Sequence, residues 1–174
     1  MKKRLSAVLA LLIFGNLGVY GDAISQTIVS TKHNKYMSIQ DIADIQVGLG
    51  SIMMEFGERF YIAYYAAKAR NWKLADYQIH EIIEAQEIAE VTRPEYKKQL
   101  KDFEDTHLTR LRESIKKQNW NGFRKHFDKT LKACNACHEA NEHGYIKYIL
   151  PKEPPKYLNL ETNNKAYIYM EQSK

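Results

Sequence analysis

A chain of 174 residues, 44% hydrophobic and 27% charged, has the length of one compact domain and is too apolar for wholesale disorder. With eight Gly, four Pro and no Pro between Thr31 and Arg93, a turn-rich β-sandwich or barrel is disfavoured, and two Cys cannot staple a disulfide scaffold. The formal charge of +5 points to a nucleic-acid partner only until its source is located.

Lys2, Lys3 and Arg4 precede the apolar run Leu5 to Phe14, and small residues follow at Gly18 and Gly21. This is the layout of a secretory signal peptide over residues 1–21, with an uncleaved anchor as the alternative; the apolar run falls short of the roughly 20 residues a membrane span needs. Cleavage after Gly21 leaves 23 basic residues against 21 acidic ones, a charge of +2, so no nucleic-acid partner is expected. The remaining chain divides into an N-terminal extension (22–37), a helical domain (38–144) and an extended tail (145–174) with Pro151, Pro154 and Pro155 at its start. No other stretch is long and apolar enough to span a bilayer, and the mature chain is expected to be periplasmic.

Within the helical domain the periodicity predicts four helices. From Ser38 to Ala69, Ile42, Leu49, Ile52, Met53, Phe56, Phe60, Ala63 and Ala67 recur at three-and-four spacing. Asn71 suits an N-cap for a second helix from Trp72 to about Glu90, burying Ala75, Ile79, Ile82, Ile83, Gln86 and Ala89. Thr92-Arg93-Pro94-Glu95 has capping-box spacing and starts a third, carrying Tyr96, Leu100, Phe103, His107, Leu111 and Ile115. A hydrogen-bonded core role is expected for His107. Asn119 caps a fourth helix with Phe123, Phe127, Leu131, Cys134 and Cys137 on one face. Arg70-Asn71-Trp72 and Gln118-Asn119-Trp120 repeat one turn signature, which predicts two stacked αα-hairpins: an all-α, antiparallel up-down-up-down four-helix bundle.

The chemistry concentrates at Cys134-Asn135-Ala136-Cys137-His138, the C-x-x-C-H attachment motif of c-type haem. Cys at i and i+3 share a helical face and can form thioethers to the two vinyl groups, while the adjacent His coordinates iron. A thioredoxin-type redox pair would need a βαβ context that is missing, and zinc would need two further ligands from scattered His residues. One covalent haem c on the fourth helix is therefore expected, with Cys134, Cys137 and His138 binding it and His138 as metal ligand. No acid–base pair or nucleophile triad stands out, so no catalytic residue and no enzyme activity are expected.

A signal peptide, four helices and a late Cys134-x-x-Cys137-His138 resemble the cytochrome c-prime type of four-helix-bundle cytochrome and its low-spin relatives, over roughly residues 38–144. The resemblance implies a periplasmic monohaem protein, often a homodimer, that transfers electrons to redox partner proteins or binds small gases such as NO and CO. About 30 residues beyond the haem helix, and the Asn-Trp turns, depart from that pattern.

An open iron face binds gas, whereas a filled one favours electron transfer. His138 lies 19 residues from Asn119, and Met53 lies 18 from Asn71, so at about 1.5 Å per residue they share a level. On the third helix the matching level is Leu100; His107 and His80 fall roughly 10 and 15 Å off it. Gly50 and Gly57, flanking Met53, would remove bulk where a porphyrin could lie. Met53 is therefore a candidate sixth ligand, with Met54 and an unligated face as alternatives; ordinary core packing is the competing role for Met53. Electron transfer is the leading expectation and five-coordinate gas binding the second.

Overall fold

The computed structural model describes residues 28–29 and 36–161, so the expected signal peptide at 1–21 and tail residues 162–174 lie outside the described residues. The architecture is all-α, in two compact units divided between Ile45 and Gln46. In the first unit, β1 (Ile28–Val29) and β2 (Met37–Ser38) make a two-residue antiparallel pairing that leads into α1 (Ile39–Asp44). The Ser38 hydroxyl accepts from the Asp41 N–H at 3.0 Å, and the Asp41 carboxylate accepts from the Ser38 N–H at 2.7 Å. This capping box holds the Asp41 carboxyl below its usual pKa.

The second unit opens with α2 (Leu49–Lys68), N-capped by Gly48 in an extended conformation. The helix expected over 38–69 is therefore two helices. Ile39, Ile45 and Val47 are all more than half exposed, so burial does not offset the cost of carrying a helix through β-branched Val47 and flexible Gly48. Arg70, at φ 64°, then closes α2: the Asn71 N–H reaches Ala66 O at 2.8 Å and the Arg70 N–H reaches Ala67 O at 3.0 Å. The Asn71 side chain accepts from the Leu74 N–H at 3.1 Å and starts α3 (Trp72–Thr92).

Pro94–Tyr96 forms a 3₁₀ turn before α4 (Lys97–Phe103). The expected capping box does not form, because Thr92 belongs to α3 and its hydroxyl donates to Ile88 O at 2.9 Å. A five-residue π-helical segment (Glu104–Leu108) joins α4 to α5 (Thr109–Lys116). Gln118, at φ 50°, and Asn119 repeat the Arg70-Asn71 turn, with the Asn119 N–H on Ser114 O at 2.9 Å and the Asn119 side chain accepting from the Gly122 N–H at 3.1 Å. The last helix among the described residues is α6 (Trp120–Ala140).

The core follows from these faces. Helix α2 packs along α3, α3 against α4 and α5, and α6 against α5 and α2. Phe60 and Phe127 stack at 4.0 Å between centroids, with Phe56, Ile79, Ile82, Leu108, Leu111, Ile115 and Phe123 around them. Each such side chain contributes about 1.5–3 kcal/mol on burial. Leu108, not His107, enters this core, because the extra residue in the π-helical turn rotates the stripe by one position. Trp72 and Trp120 cover the core at the two Asn turns.

Candidate functional site

Helix α6 carries the motif because its buried positions, Phe123, Phe127 and Thr130, are continued three to four residues on by the partly buried Leu131 and Cys134. Cys134 packs against the core beside Tyr148 and Leu150, and burial pushes its thiol pKa up to about 12, the neighbouring Cys137 adding to the effect. One turn on, the Cys137 thiol lies 3.7 Å from Gln99 Oε1 on α4 and 3.5 Å from Asn141 Nδ2. Asn141 Nδ2 also donates to Gln99 Oε1 at 2.9 Å, tying the end of α6 to the first turn of α4. Burial raises the Cys137 thiol as well, opposed by the Asn141 contact. Both thiols are free.

Helix α6 ends in a third left-handed cap, Glu142 at φ 62°, with the His143 N–H on His138 O at 2.7 Å. The chain then turns back and passes His138, whose Nδ1 lies 2.9 Å from Ile146 O. A carbonyl only accepts, so Nδ1 donates here and Nε2 is the ring nitrogen left for another partner. An imidazole oriented in this way by a backbone carbonyl is the usual second-shell arrangement of a metal-ligating histidine. Two free thiols at i and i+3 and a fixed imidazole next to them fit a thioether-linked haem. Among the described residues no group of three or more His, Cys, Asp or Glu side chains is placed to hold a metal ion.

From Tyr145 to Glu161 the chain is a strap docked along α2. The Tyr148 N–H donates to Asn135 Oδ1 at 2.8 Å and Asn135 Nδ2 to Tyr148 O at 3.0 Å, so the first of the two residues between the motif cysteines anchors the strap. The Tyr148 hydroxyl donates to Gly57 O at 2.8 Å, Tyr65 to Pro151 O at 2.8 Å and Tyr61 to Glu153 O at 2.7 Å. Asn71 Nδ2, at the far end, donates to Leu160 O at 3.2 Å. Burial raises the pKa of the Tyr148 and Tyr65 hydroxyls.

The space at Gly57 belongs to this strap and not to a porphyrin: a Cβ there would stand 3.1 Å from Tyr148 Cε2. At Gly50 a Cβ would meet nothing within 4 Å. Met53 is half-buried with Leu49 and Tyr96 against Ile52, Ala85, Ala89 and Leu100, while Met54 is 77% exposed. The cluster against which Met53 packs includes Leu100, next in sequence to the Gln99 that reaches Cys137. His80 lies elsewhere, paired with Glu84 at 3.1 Å.

Periodicity and motif spacing gave no sign of Gln99, Asn135, Asn141 and Tyr148. The two asparagines are polar residues outside any apolar stripe, and Tyr148 sits in a tail whose Pro content signals only the end of helix. No family model matches the chain, nor does any curated protein or solved structure. Among the described residues no helix is long and apolar enough to cross a membrane.

Proposed function

We propose that the chain is an exported c-type monohaem cytochrome, a four-helix up-down-up-down bundle of the cytochrome c-prime kind, whose work is electron transfer to redox partner proteins. Haem c would be held by thioethers at Cys134 and Cys137 and by His138 Nε2, on the last helix of the bundle. The observation that carries this reading is the His138 Nδ1–H bond to Ile146 O beside two free thiols on one helical face. When bound, the haem supplies a one-electron couple whose potential is set by axial ligand, second-shell hydrogen bonds and burial. Ile146 O fixes the imidazole and increases its basicity, and the strap with Tyr148 keeps water from the Cys134 side.

Met53 is the proposed sixth ligand on level and packing, since Met54 points to solvent. A second reading, a five-coordinate NO- or CO-binding protein, draws on the apolar company of Met53, which suits a methionine serving as core filler.

The test is expression in a host with cytochrome c maturation. The exported chain should start near Asp22, stain for covalent haem on a denaturing gel and show a reduced-minus-oxidised haem spectrum. Cys134→Ser with Cys137→Ser should abolish the stain. A colourless wild-type chain overturns the haem reading.

A further inference from the structure

A second constellation lies away from the haem motif. The π-helical segment and α5 face α6 across a cleft of about 330 Å³ lined by Thr106, His107, Arg110, His126, Lys129 and Thr130. That volume is at the small end of ligand sites. The lining contains two cationic side chains, two imidazoles and two hydroxyls, and no carboxylate. Arg59 and Arg112 each pair with an acid, whereas among the described residues neither Arg110 nor Lys129 forms an ion pair. The Thr130 hydroxyl is spent on His126 O at 2.9 Å. The ring of His107, which lines the cleft, rests 5.1 Å from that of Phe103.

Backbone geometry is committed to this arrangement. The Thr109 N–H and hydroxyl both donate to Glu104 O, the hydroxyl at 3.2 Å, which stabilises the π-helical turn. Without that turn, the three-and-four spacing would send His107 into the core, the place expected for it from sequence; with it, Leu108 is buried and His107 lines the cleft. π-Helical turns are rare and are found often at functional sites.

We propose that this cleft binds a small, doubly charged tetrahedral oxyanion of the sulfate or phosphate class. Arg110 and Lys129 supply fixed charge, and His107, His126 and Thr106 supply donors. Such an anion would make charge-assisted hydrogen bonds to Arg110 and Lys129, two cations that otherwise repel one another, and to the two imidazoles. A dication on the two imidazoles would face Arg110 and Lys129, which oppose it. This inference stands apart from the haem reading.

The charges facing each imidazole set the pH behaviour. His107 sees Arg110 and Lys129; His126 sees Lys129, Arg110 and Lys125, with Glu113 as the one opposing acid. Burial and these cations hold both pKa values below the usual 6.5, so both rings are neutral at pH 7 in the free chain. A bound dianion stabilises the protonated rings, and by linkage binding strengthens as pH falls.

Calorimetric titration of the full-length chain with sulfate, at constant ionic strength in chloride, tests the site, because sulfate keeps its charge across the range. Saturable binding should be about tenfold tighter at pH 5.5 than at pH 8, because protonated rings add charge-assisted donors to the anion. Arg110→Gln and Lys129→Gln, both at exposed positions, should each weaken it about tenfold at either pH. His107→Asn with His126→Asn should remove the pH dependence and leave residual binding. Sulfate heats no different from chloride, or unchanged affinity in a folded Lys129→Gln chain, would overturn the proposal. So would zinc binding that is strengthened by Arg110→Gln and lost in the double histidine variant, which would make the cleft a metal site.

Discussion

Tyr148 is the residue on which the end of the chain turns. Its backbone is paired to Asn135, its ring fills the notch at Gly57 and its hydroxyl meets Gly57 O. Tyr148→Phe removes one half-buried hydrogen bond and should lower stability by about 1 kcal/mol, read from urea midpoints at unchanged slope. Asn135→Ala removes two bonds and leaves a Tyr148 N–H and C=O without partners, so it should cost roughly 1–3 kcal/mol. It should also make the segment after Gly144 cut faster under limited proteolysis; equal cutting rates would mean that the strap is held elsewhere. Met53 supplies a second residue-scale expectation. If it ligates iron, the oxidised protein is low-spin with a weak far-red sulfur-to-iron band, and Met53→Ala opens the iron to CO. A high-spin wild type that binds CO readily would return Met53 to the packing of Leu49, Tyr96 and Leu100 and put gas binding first.

At the scale of elements, the two Asn turns are the same device used twice. A left-handed residue ends one helix, and the next residue, Asn71 or Asn119, caps the following one through its side chain. Asn71→Ala and Asn119→Ala should each cost about 1 kcal/mol, the usual worth of such a cap, and the two losses should add because the caps share no partner. Asn71→Ala should cost slightly more, since it also gives up the bond to Leu160 O. A thermal-melt series of the two single variants and the double variant checks both statements. The third leg shows the opposite economy. Instead of one capped helix it is a 3₁₀ turn, α4, a π-helical turn and α5, and its irregularity decides which of two adjacent residues, His107 or Leu108, meets the core.

For the molecule as a whole, the histidines set a direction of pH dependence. His107 and His126 have folded-state pKa values depressed below 6.5 by burial and neighbouring cations. The folded chain therefore takes up these protons less readily than the unfolded chain. Their contribution to stability is intact above pH 6.5 and is lost as pH falls through that value towards the folded-state pKa. The slope of stability against pH just below 6.5 should flatten in His107→Asn with His126→Asn, measured by urea unfolding at pH 5.5 and 7.5. An unchanged slope would mean that other groups carry it. Sulfate should offset the acid loss in the wild type only.

Much of this protein is legible in its sequence, because local rules act on local residues. Three-and-four spacing marks the buried faces of α2, α3 and α6, Asn followed by Trp marks two turns, and the Cys134-x-x-Cys137-His138 spacing is what suggests the proposed haem. Met53, which residue counting puts on the level of Leu100, packs against the cluster that contains Leu100. The structure departs from the sequence pattern where distant chain segments compete. The break before Leu49 depends on Ile39, Ile45 and Val47 finding no burial, and the π-helical turn on which of His107 and Leu108 the core accepts. Gly57 is open beside a porphyrin or filled by a tyrosine only according to where residues 145–161 run. Those residues lack a periodic stripe and are held by bonds from Tyr61, Tyr65, Asn71 and Asn135, 13 to 92 residues away in sequence. Local sequence therefore sets the helices and the Cys134-x-x-Cys137-His138 spacing, while the strap over Cys134, the carbonyl on His138 and the cationic cleft exist only once the chain has folded back on itself.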